Sequence, residues 1–143
     1  MSKFKIILIV AVCLLFCFVP ALATDQVIPT PPSWAEEKDY VVFENSRAYE
    51  PEMWKQICEI RADLEKTPDY SPREFQGLLL KIQRLFSGYS QDAGCNFERG
   101  LLHYKFFLNY RSYLEGSSAI ECFTRAGDLS EHGENQKMSY MWA

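Results

Sequence analysis

This chain is short of nearly every residue set that announces a reaction. Only two histidines, His103 and His132, stand among its 143 residues. No H-E-x-x-H pattern joins them, which removes the zinc-protease helix. No C-x-x-C or C-x-x-C-H occurs, so zinc ribbons, dithiol redox centres and haem attachment lack their ligand spacing. A G-x-S-x-G nucleophile turn and a glycine-rich phosphate loop are missing too. Basic runs are absent: 15 Lys and Arg against 19 Asp and Glu leave a formal charge of −4. Nucleic-acid binding draws on clustered cations. Here Lys55, Arg61, Lys81, Arg84, Lys105 and Arg111 are interspersed with acids, the pattern of a solvated helix surface. The expectation is a protein that is neither an enzyme nor a nucleic-acid binder, with no catalytic residue, metal ligand or cofactor.

One long apolar run does occur. Ile6 to Val19 is apolar throughout, Lys3 and Lys5 precede it, and Pro20 breaks it. Ala21-Leu22-Ala23 then supplies the small-x-small pattern that signal peptidase reads. The run falls short of the roughly 20 apolar residues of a membrane span. Residues 1–23 are therefore expected to be a signal peptide, the protein to be secreted or periplasmic, and membrane contact to end with cleavage. Removing the first 23 of 143 residues leaves 120, enough for one domain. It takes away two lysines and no acid, moving the formal charge from −4 to −6. Cys58, Cys95 and Cys122 remain, too few for a disulfide framework. Three free thiols are expected, ahead of a Cys58–Cys95 bridge.

Helical periodicity dominates the rest of the chain. Residues 24–33 read as a Pro-rich extended tether, and 34–143 as a single helical domain. Asp39 to Asn45 should lie on the bundle as an extended arm or short helix, through Val41, Val42 and Phe43. Pro51 suits a first helical position, and Met53, Trp54, Ile57, Ile60 and Leu64 make one apolar face. Ser71-Pro72-Arg73-Glu74 combines an N-cap, a proline and the returning glutamate of a capping box. Phe75, Leu78, Leu79, Ile82, Leu85 and Phe86 come next at helical spacing, and Gly88 is a natural stop. From Asn96 to Leu129 two more helices are expected, 96–114 and 118–128, with the turn near Gly116 and a second capping box at Ser118 and Glu121. That register excludes a Cys95–Cys122 bridge. A short final helix over 136–143 would close the open end with Met138, Met141 and Trp142. The fold class is thus all-α: two stacked helical hairpins after a signal peptide.

Tyr110, Ala119, Phe123 and Ala126 make the second hairpin resemble half of a tetratricopeptide repeat, with an aromatic on one helix and A-x3-F on the next. Where that family's first helix has Trp, Leu and Gly, this chain has His103, Phe106 and Phe107; where the family has Pro after the second helix, Glu131 stands. The arrangement is tetratricopeptide-like or a small helical bundle. The resemblance implies protein–protein interaction, with another protein or peptide as partner. Aromatic residues crowd the first helix of this hairpin, and such rings are enriched at interaction anchors. His103, Phe106, Phe107, Tyr110 and Tyr113 are therefore the candidate partner groove. The alternative is a small bundle enclosing an apolar ligand among these rings. A groove would appear as an exposed ring patch, a carrier as a closed cavity.

Overall fold

The computed structural model describes residues 26–66, 71–131 and 133–143. The expected signal peptide and His132 lie outside the described residues. Among those described, five α-helices pack together: α1 (Pro51–Glu65), α2 (Pro72–Leu85), α3 (Ala93–Tyr110), α4 (Tyr113–Asp128) and α5 (Gly133–Trp142). Short 3-10 turns at Glu37–Asp39 and Arg47–Tyr49 precede them.

Local chemistry sets most of the boundaries. At α2 the capping box closes in both directions: Ser71 Oγ accepts from the Glu74 N–H, and Glu74 accepts from the Ser71 N–H at 2.8 Å. Gly88 follows with φ 84°, a left-handed conformation that glycine adopts without a Cβ penalty. At α3 the cap is Asp92, whose carboxylate accepts from the Cys95 N–H at 2.8 Å. The same carboxylate accepts from Ser46 Oγ at 2.6 Å and the Arg47 N–H at 2.8 Å. One aspartate thus caps the central helix and fastens the preceding arm to it.

The α3–α4 connection differs from the expected one. The turn lies at Arg111–Ser112, not near Gly116, and Ser118 and Glu121 are interior to α4. Arg111 ends α3 in the left-handed region, φ 55°, and its N–H returns to the Phe107 carbonyl at 2.8 Å. Gly116 serves packing: a Cβ there would lie 3.1 Å from the Phe107 ring. With the turn at Arg111–Ser112 the offset between Cys95 and Cys122 shrinks to about six residues, roughly 9 Å along the hairpin at 1.5 Å per residue, still beyond the roughly 7 Å between the Cα atoms of a disulfide. In the structure Cys58, Cys95 and Cys122 are all free thiols.

Helix α3 forms the middle of the core, burying Phe97, Leu101, Leu102 and Phe106 completely. Ile57, Ile60 and Leu64 of α1 and Leu78, Ile82 and Phe86 at α2 belong to the same core. Phe123, Ala119 and Ala126 bring α4 in, and α5 lies against α4 with Tyr140 over Gly127. Trp142 meets Phe97, Tyr104 and Phe123, while its indole N–H donates to the Asp39 carbonyl at 2.7 Å. The arm over 39–45 is extended apart from a turn: Val41 and Phe43 are buried, and Val42 faces solvent.

Candidate functional site

Three polar features stand apart from the apolar core. The deepest is an ion pair. Arg61 of α1, expected on the surface, is buried and donates to Glu98 of α3 at 2.5 Å. Tyr40 also donates its hydroxyl to Glu98, and Arg61 Nη1 reaches the Thr30 carbonyl at 2.6 Å. The guanidinium lies 4.7 Å from the Trp54 ring centroid, within cation–π range. Burial pushes the Glu98 carboxyl up; Arg61 and Tyr40 draw it back. Burial likewise raises the Tyr40 phenol, so it stays a donor. With its oxygens bonded to Arg61 and Tyr40 and the group fully enclosed, Glu98 is a structural clamp on the arm, not a base open to substrate.

The second feature joins α3 to α4. His103 Nδ1 and Glu115 lie 2.5 Å apart, and Arg99 Nε–H donates to His103 Nε2 at 3.4 Å. Nε2 therefore carries the lone pair, and Nδ1–H donates to the carboxylate. Twelve residues of sequence separation concealed this contact, because Glu115 comes from the next helix and not from the imidazole's own face. Burial holds His103 below its ordinary pKa of 6.5, Arg99 adds to the effect, and Glu115 opposes it. Between that lowered value and 6.5 the unfolded chain binds more protons than the fold, so stability falls as pH drops through the window. The contribution of His103 should decline between pH 7 and pH 5, read as the difference in denaturation midpoint between the native protein and His103→Gln; Glu98, raised by burial, acts in the opposite sense but equally in both proteins. A steeper decline in the variant would reverse the assigned sign.

The third feature is a groove of about 1000 Å³ open to solvent between α1 and the C-terminal half of α2. Met53, Ile60, Leu85 and Tyr89 floor it. Glu52, Gln56, Glu59 and Asp63 form the α1 wall at i, i+4, i+7 and i+11, one helical stripe. Lys81 and Arg84 stand on the α2 wall. Asp63 takes Lys66 at 2.9 Å and Lys81 at 3.5 Å, bridging the two helices. The sequence carried the acidic stripe in plain view, but its spacing also fits an ordinary solvated face. Only the return of α2 makes it a wall.

The candidate ring residues do not share one surface. His103 and Phe106 are buried, Phe106 against Phe75 and Tyr110. Phe107 and Tyr110 are half-buried, and Tyr113 is 85% exposed at the start of α4 beside the exposed Leu114. Ala119, Phe123 and Ala126 are buried together, whereas Tyr110 packs on Phe75 of α2 at 5.0 Å. Cys122 is enclosed, and burial pushes its thiol up to about 11, so it stays protonated and a poor nucleophile at neutral pH. Among the described residues no group of three or more His, Cys, Asp or Glu is placed to hold a metal ion, and no helix is long and apolar enough to cross a membrane. No family model matches the chain, and neither a curated protein nor a solved structure shows significant similarity to it.

Proposed function

We propose that this protein is a non-catalytic, secreted or periplasmic helical module that binds a segment of another protein in the α1–α2 groove. The observation that carries the reading is the groove itself: an apolar floor between two polar walls, on rigid helices, with room for a peptide. The charged groups elsewhere support a binding role over a chemical one. Glu98 is spent on Arg61 and Tyr40, His103 on Glu115, and the buried thiols stay protonated. Tetratricopeptide-like stacking of α1–α2 on α3–α4 belongs to the same proposal, supported by the small residues Ala119 and Ala126 where α3 and α4 meet. A closed apolar-ligand carrier fits less well, because the larger cavities open to solvent. Secretion is supported by the Lys3 and Lys5 flank, the Ile6–Val19 run and Ala21-Leu22-Ala23.

Panning a random peptide library on the immobilised protein tests the reading. A photo-crosslinking residue at Gln56, on the groove wall, should capture the enriched peptides, and one at Ile120, on the outer face of α4, should not. No enrichment over bare resin, or capture only at Ile120, would overturn it.

A further inference from the structure

We propose that the groove takes an amphipathic helix of another protein whose apolar stripe is flanked by a row of Lys or Arg, laid along Glu52 and Glu59. The inference rests on the groove being the docking site and adds the polarity of what docks there.

Geometry supplies the first support. Glu52 to Asp63 spans eleven residues of α1, about 16 Å at 1.5 Å per residue, or some three helical turns. Leu85 and Tyr89 are half-buried and give an amphipathic helix its apolar footing, while the buried Met53 and Ile60 line the base.

Charge supplies the second, because the walls are not neutralised evenly. Lys66 and Lys81 both converge on Asp63, and Arg47 takes Glu50. Glu52 and Glu59 are exposed and make no ion pair among the described residues. Two turns separate them, about 10 Å, which is the separation of positions i and i+7 on a partner helix. Cations at those two positions would meet both glutamates in one register. Across the groove Arg84 is also exposed and outside any ion pair among the described residues, so the partner's opposite flank should be acidic or uncharged. An anionic helix or lipid surface would meet the two unpaired glutamates and the chain's formal charge of −4.

Fluorescence anisotropy with the full chain and two labelled 18-residue helical peptides tests this. Both carry the same leucine stripe; one has Lys at i and i+7 on its flank, the other Glu. The Lys peptide should bind about tenfold tighter, with the gap closing at high salt as screening removes it. In the double variant Glu52→Lys and Glu59→Lys the preference should invert. Both positions are exposed, so folding should survive; unchanged circular dichroism checks that. Equal binding of both peptides, with both captured by the crosslinker at Gln56, overturns the charge assignment and leaves the groove standing. Capture of neither peptide at Gln56 overturns the groove itself.

Discussion

Truncating Arg61 to alanine is expected to cost about 3–5 kcal/mol of folding stability, the usual penalty for stranding a buried charge. Typical domains hold only about 5–15 kcal/mol in total, so the urea midpoint should fall steeply. Glu98 is fully enclosed, and without the guanidinium its carboxylate keeps only the Tyr40 hydroxyl. The clamp also reaches the arm, through the Thr30 carbonyl and Tyr40, so amide exchange over 26–40 should accelerate more than global destabilisation explains. Replacing both partners separates charge from packing. Arg61→Met fills the space against Trp54, and Glu98→Gln keeps an acceptor for Tyr40 without a charge. The double variant should lose markedly less than Arg61→Ala alone. A loss from Arg61→Ala within about 0.5 kcal/mol, the range of ordinary surface changes, would show that the pair is solvated.

The clamp also marks where sequence reasoning stops. Patterns that depend on neighbours in the chain were legible: the Ser71–Glu74 box, Pro51 at the head of α1, the buried stripe Met53, Ile57, Ile60 and Leu64, and Gly88 at a left-handed stop. The start of α4 was not. Ser118 and Glu121 carry the spacing of a box, while the residue that reverses the chain is Arg111, a type with no preference for the left-handed region. Polar partners drawn from different helices were equally hidden. Arg61 and Glu98 are 37 residues apart, and His103 and Glu115 twelve, with nothing in either spacing to join them. The proline-rich composition of 24–33 reads as an extended tether and names no partner for it, whereas Val27 N–H bonds to the Tyr49 carbonyl and Thr30 accepts from Arg61. The groove falls between these cases. Its acidic stripe was readable from α1 alone, but a cavity needs two walls, and the second comes from how α2 returns.

The second large effect should come from Phe123. Its ring is completely buried, 5.5 Å from both Phe97 and Trp142 by centroid, at the junction of α3, α4 and α5. Phe123→Ala should cost about 3–5 kcal/mol, the range for deleting a core aromatic, and loosen α5 with it, which the emission of Trp142 would report. Gly100 makes a sharper test. A Cβ on Gly100 would lie 2.7 Å from Cε1 and 2.8 Å from Cδ1 of Phe123, closer than packed atoms come. In the native background Gly100→Ala should therefore destabilise by about 1–3 kcal/mol through overpacking, although alanine is the better helix former by about 1 kcal/mol. Once Phe123→Ala has removed the ring, the added methyl meets open space and fills part of the cavity. Only the propensity gain and the filling then remain, so the sign should reverse and Gly100→Ala should stabilise. Denaturation midpoints of the four proteins in this cycle decide it. Additive effects, with Gly100→Ala equally costly in both backgrounds, would mean that the glycine is needed for something other than the approach of the Phe123 ring to α3.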